Sequence, residues 1–112
     1  NQYYYHKFDI KMADLNWQNP KVVSEIQEVL RFWLDMGVDG VRLDVVNFYY
    51  HDALLTDNPE VKSNPNKVGV TKHNPYSEQL HIHDITQPDN LKFLEALREL
   101  MNQYQVSQFF LS

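Results

Sequence analysis

Cysteine is absent from this 112-residue chain. That excludes a disulfide framework and thiolate metal sites, and it fits a reducing compartment, so a cytoplasmic location is the expectation. No apolar run approaches the roughly 20 residues of a membrane span, and no basic segment followed by an apolar one opens the chain. No membrane partner is expected. Positive charge is also scarce. Ten Lys and Arg stand against fifteen Asp and Glu, for a formal net charge of -5, and the basic residues are scattered rather than striped. Nucleic acid, which demands clustered cations against phosphates, is not an expected partner. What is present, 43% hydrophobic residues, suits a folded globular chain.

Neither end reads as a natural terminus. Asn1 stands where a translated chain would carry methionine, and Gln2-Tyr3-Tyr4-Tyr5-His6 reads as a strand already under way. Val106 to Leu111 is apolar and aromatic, as a buried strand is, and stops without a cap. The expectation is a segment of a larger protein.

Two helix signals lie between. Asn19 suits an N-cap and Pro20 the first helical position. Val22, Val23, Ile26, Val29, Leu30, Trp33 and Leu34 follow at helical spacing, and Gly37 is placed to stop the helix near residue 36. A short strand over about 40–44 comes next. A long polar loop then carries the breakers Asn58-Pro59, Asn64-Pro65, Gly69 and Asn74-Pro75; loops of this length are usually functional or disordered. The second helix runs from Pro88 to about Tyr104 with Leu91, Leu94, Leu97, Met101 and Tyr104 as its apolar stripe, and the last strand covers about 106–111.

Strands alternating with helices imply a parallel sheet with helices packed outside it. Two parallel strands alone leave edges and helix faces open, so further units are expected on both sides, as in a (β/α)8 barrel. A doubly wound sheet fits the same order. The choice between them rests on Gly40-Val41-Arg42-Leu43-Asp44. Strand alternation sends Arg42 and Asp44 to one face and Val41 and Leu43 to the other. Charges on an inward face need partners or a polar cavity, which favours a barrel whose strand ends converge on one mouth.

At those five residues the chain resembles the α-amylase family of glycoside hydrolases, family 13. Tyr3-Tyr4-Tyr5-His6-Lys7-Phe8, Asp14-Leu15-Asn16-Trp17, Phe32-Trp33-Leu34, Asp44-Val45-Val46-Asn47-Phe48 and Gln87-Pro88-Asp89-Asn90 extend the likeness to the oligo-1,6-glucosidase and α-glucosidase branch. Met12 and Ala13 stand where that branch has Gln and Pro before Asp14. The resemblance implies an α/β fold, a partial (β/α)8 TIM barrel around barrel strands four and five with a long loop between strand four and helix four. Residues 1–112 would be an incomplete segment of that barrel, with 1–18 the end of an inserted loop domain leading into helix three.

It also implies roles. Asp44 aligns with the nucleophile, Arg42 with the arginine paired to it, and Phe8 with an aromatic against the sugar of the first subsite. Val45 matches a valine associated with α-1,6 linkages. The implied parent is a retaining α-glucosidase that acts on short α-glucosides through a covalent glucosyl-Asp intermediate, with no cofactor. Its substrate and the rest of the parent barrel are the expected partners. Retention requires two carboxyl groups about 5–5.5 Å apart, and a guanidinium beside the nucleophile favours its charged form. The acid is expected as a glutamate directly after Ser112, and the isolated segment is expected to be inactive. Transglucosidases, sucrose isomerases and trehalose-forming enzymes share these motifs. So do the transporter-associated heavy chains, which are non-catalytic relatives.

Other features have plainer readings. Arg42 and Asp44 could form only a structural ion pair, and Phe8 could pack in a hairpin. Trp17 and Trp33 read as core. His81-Ile82-His83-Asp84 has metal-ligand residue types, with His73 the only further candidate nearby. Three or four converging ligands are needed, so the segment reads as a polar loop lip and no metal is expected. Asp35, Asp39, Glu95 and Glu99 read as solvated surface.

Overall fold

The computed structural model describes residues 2–61, 75–104 and 108–111. Helix α1 (Pro20–Asp35) leads into strand β1 (Gly40–Leu43), and helix α2 (Pro88–Met101) leads into strand β2 (Gln108–Leu111). Short 3₁₀ turns cover Val46–Phe48 and Pro75–Glu78. An isolated antiparallel bridge joins Glu60 to Gln79. Asn64-Pro65, Gly69, His73, Asn74 and Val106 lie outside the described residues.

Helix α1 begins and ends on local chemistry. The Asn19 carboxamide oxygen accepts a hydrogen bond from the Lys21 amide at 3.0 Å, and Pro20 occupies the first turn, where its missing N–H is no loss. At the other end Gly37 takes φ +90°. Its amide donates to Leu34 O at 2.9 Å and that of Val38 donates to Trp33 O at 3.2 Å, which satisfies the last free carbonyls. A Cβ at position 37 would meet nothing within 4 Å, so the cost of a side chain there is conformational only. Gly37→Ala is therefore expected to destabilise the protein by about 1 kcal/mol, read as a lower denaturant midpoint with unchanged slope.

Strands β1 and β2 pair in parallel, with Gly40 opposite Gln108 and Leu43 opposite Leu111. On the covered side of β1, Val41 and Leu43 pack against a core of Leu30, Leu34, Tyr50, Phe93, Leu97 and Met101. Trp17 joins this core by stacking on Tyr49, with ring centroids 4.7 Å apart and planes 5° apart, while its edge meets Phe93 at 4.9 Å. The two helices are also tied near their C-termini, where the Tyr104 hydroxyl donates to Asp35 at 2.9 Å.

Four local expectations are corrected. Residues 2–6 are not a strand: the Asp14 amide donates back to Tyr5 O at 3.1 Å and the Tyr4 hydroxyl to Ile10 O, so this segment folds on itself. Helix α2 stops at Met101, and Tyr104 reaches the core from the turn beyond it. The buried face of α2 carries Phe93, Leu97, Leu100 and Met101, while Leu91 is 61% exposed. Trp33 is 50% exposed rather than core. In both helices the apolar arc is wider than one neighbour can cover, so only the residues facing the other helix and β1 are buried.

Candidate active site

The C-terminal end of β1 carries Arg42 and Asp44 on the side away from the helices. Arg42 Nη2 lies 2.8 Å from Asp44 Oδ1, and the two side chains are 63% and 65% exposed. Alternation placed them on one face as expected. The described sheet has only two strands, and both side chains remain largely exposed on that face.

Immediately after Asp44 the backbone turns sharply. Val45 adopts φ 45°, ψ 41°, a left-handed conformation that crowds a β-branched side chain and costs of the order of 1–3 kcal/mol. Thr86, another β-branched residue, is also left-handed at φ 53°. Its amide donates to Asn47 O at 2.7 Å, and that of Phe48 donates to Val45 O at 2.9 Å. Asn90, a buried polar side chain, completes the clamp. Its Nδ2 donates to Asn47 O at 3.2 Å and its Oδ1 accepts from the Tyr50 amide at 3.2 Å. The first turn of α2 thus holds the turn that follows Asp44, offsetting the strain at Val45. Burial raises the pKa of the Tyr49 phenol, and the Asp44 carboxylate adds to the shift.

Phe8 is brought to this turn from the N-terminal segment. It is half exposed, and its ring meets Phe48 edge-on at 5.4 Å. Of the four residues singled out, Arg42 and Asp44 touch directly. Val45 and Phe8 converge on the same turn through Phe48. Spacing had no means of showing the neighbour of Phe8. Lys7, whose side chain is only 5% exposed, forms an ion pair with Asp84, 77 residues away. Its ammonium also sits over the rings of Phe48 and Tyr76, at 5.2 and 4.9 Å from their centroids. A lone lysine in an aromatic run was the sole hint.

His81 is a member of the same cluster, bonded to Asp84 and to the Tyr76 carbonyl. Among the described residues no group of three His, Asp or Glu converges as metal ligands would. Burial is the largest influence on Asp84 and opposes its charge. Hydrogen bonds from Lys7, His81 and Asn58, with the Lys7 charge, still hold its carboxyl below the usual range. The stabilisation from this shift is present above the ordinary carboxylate pKa and lost as pH falls through the lowered value. Tyr5 packs against His51 with ring centroids 4.6 Å apart. Burial, then Asp84 and Asp14, push its phenol up to about 12, so it stays neutral.

Comparison with known proteins matches residues 1–111 to the Alpha-amylase family, described as the alpha amylase catalytic domain. A probable alpha-glucosidase of Rhizobium meliloti (strain 1021) is 46% identical over 104 residues, 92% of this chain and 19% of its own length. The amino acid transporter heavy chain SLC3A1 of Homo sapiens is 40% identical over 104 residues, covering 93% of this chain and 15% of its own. Among solved structures the alpha-glucosyl transfer enzyme XgtA superposes with a TM-score of 0.86 at 45% identity, over 97% of this chain and 21% of that one. The chain therefore spans about a fifth or less of the length of these relatives.

Proposed function

The chain belongs to the α-amylase family of catalytic domains, and from that premise we propose that it is the central segment of the (β/α)8 barrel of a retaining α-glucosidase. In this reading β1 and β2 are barrel strands four and five, joined by the long loop and helix four, and residues 1–18 end an inserted loop domain. Asp44 attacks the anomeric carbon and Arg42 keeps the attacking carboxylate charged. Phe8 lies against the glucose ring, and Val45 borders the linkage and favours α-1,6.

The observation that carries the proposal is the carboxylate at the C-terminal end of a parallel strand, held by a guanidinium at 2.8 Å. Barrel enzymes of this architecture place their chemistry at that end of the strands. Retention also needs a second carboxyl group about 5–5.5 Å from Asp44, and a glutamate directly after Ser112 is the residue expected to supply it. The substrate is a short α-glucoside, and no cofactor enters the reaction.

Likeness to an enzyme of glucosyl transfer favours a second outcome, in which another sugar rather than water takes the glucosyl group. Likeness to a transporter heavy chain favours a non-catalytic role. One experiment separates the three. The full-length protein is treated with a fluoroglucosyl fluoride that forms the intermediate faster than it breaks down, and the peptides are weighed. A fluoroglucosyl group on the peptide containing Asp44 is expected. No label and no turnover would support the non-catalytic role, and a label on another carboxylate would remove Asp44 from the mechanism. Products from isomaltose and maltose then distinguish hydrolysis from transfer.

A further inference from the structure

His81 lies between two hydrogen-bond acceptors. Its Nδ1 is 2.9 Å from Asp84 Oδ2 and 3.0 Å from Oδ1, and its Nε2 is 2.6 Å from the Tyr76 carbonyl oxygen. A backbone carbonyl has no proton to give. Asp84, which also accepts from the Lys7 ammonium, is ionised and has none either. A neutral imidazole has one N–H and would leave a ring lone pair facing an oxygen lone pair at one of these contacts. Only the doubly protonated ring donates to both.

The charges around the ring point the same way. Asp84 and Asp14 supply two negative charges, with the Asp14 carboxylate accepting from the Lys7 amide. Lys7 supplies one positive charge, and Tyr5 and Tyr76 are phenols, the latter stacked on the imidazole at 3.6 Å. A charged His81 offsets Asp84 directly, while Asp52, Asp57, His51 and His83 line the pocket on the other side of Asp84. A neutral His81 leaves Asp84 without that offset in a half-buried setting, which is costly.

The contacts form a continuous chain from Tyr76 through His81 and Asp84 to Lys7, next to Phe8. It fastens the segment after the Pro75–Glu78 turn to the segment that carries Phe8. We propose that His81 is a positioning residue whose second ring proton closes this clasp. Loss of that proton loosens Phe8 and weakens binding of the α-glucoside while leaving the chemical step unchanged. The affinity part rests on the function proposed above; the clasp itself does not.

Two measurements on the full-length protein test it, each followed as a pH series across neutrality. The first is KM and kcat for isomaltose, and the second is amide hydrogen exchange over residues 76–84, corrected for the intrinsic effect of pH. In the wild type KM is expected to rise, and protection to fall, by about tenfold, as loss of one charge-assisted hydrogen bond allows; kcat should show no matching step. His81→Gln cannot donate on both sides and should show the high KM and low protection at every pH. His81→Arg, which keeps donors and charge at all pH values, should remove the pH dependence. Protection that stays flat in wild type, or that His81→Gln leaves intact, overturns the clasp. Protection that falls while KM holds overturns the link to Phe8. If no α-glucoside turns over at all, the proposed activity fails and hydrogen exchange alone decides the clasp.

Discussion

Asp44→Asn in the full-length protein is expected to lower kcat on an α-glucoside by at least about 10⁴-fold, the scale on which removal of a covalent nucleophile acts. The amide is nearly isosteric with the carboxylate and can still accept a hydrogen bond from Arg42, so folding and substrate binding should be largely kept and KM should move little. On the proposed mechanism, what is lost is the negative charge and lone pair that attack the anomeric carbon. Asp44→Glu restores the charge but carries it one methylene further from a backbone fixed by the strained turn at Val45. A displacement of about 1 Å is enough to cost on the order of 100-fold, so this variant should fall between the wild type and Asp44→Asn. Steady-state kinetics on both variants check the ordering. Activity of Asp44→Asn within tenfold of wild type would reduce the Arg42–Asp44 contact to a structural ion pair and end the nucleophile assignment.

Phe93→Ala is expected to destabilise the protein by about 3–5 kcal/mol, the range for removing a buried phenyl ring. Phe93 is 3% exposed and stands at the centre of an aromatic group, with Trp17 at 4.9 Å, Tyr49 at 6.1 Å and Tyr50 at 6.3 Å. The surrounding rings come from two separate segments and are rigid, so they cannot collapse into the space, and the value should lie in the upper half of the range. Denaturant unfolding of the full-length protein measures it. Glu95→Ala, two residues along on the exposed side of α2, should change stability by less than about 0.5 kcal/mol. A loss below about 1.5 kcal/mol for Phe93→Ala would mean that the aromatic group repacks and that α2 is not anchored through it. Because the same helix supplies Asn90, which holds the turn after Asp44, a weakened anchor should also reduce kcat.

Local determinants were legible residue by residue. The start of α1 at Pro20 and its stop at Gly37 depend on an amide cap, a ring-locked φ and a positive φ, all of which are properties of single residues and their near neighbours. Strand alternation alone was enough to pair Arg42 with Asp44. Helical periodicity was a weaker guide to burial. It identified the apolar arc of each helix correctly but could not say which part of the arc meets a neighbour, so Leu91 and Trp33 were expected inside and lie exposed. The aromatic run at residues 3–5 has the composition of a strand. Its backbone hydrogen bonds go to its own segment instead, and a run without a partner strand does not become one.

The amino-acid sequence by itself determined the helix ends and the placement of a paired carboxylate at the end of β1, because each follows from contacts only a few residues apart, while the parallel pairing of β1 with β2 was implied by the alternation of strand and helix. Tertiary structure alone decided how that carboxylate is held. The left-handed backbone at Val45, the Asn90 clamp on the turn beyond it, and the joining of Lys7 to Asp84 across 77 residues all depend on which distant segments meet. No periodicity in the chain encodes such meetings. They arise when helix α2 buries its apolar face and carries the start of its own turn against the end of β1, and that packing sets where the polar groups around the site find their partners.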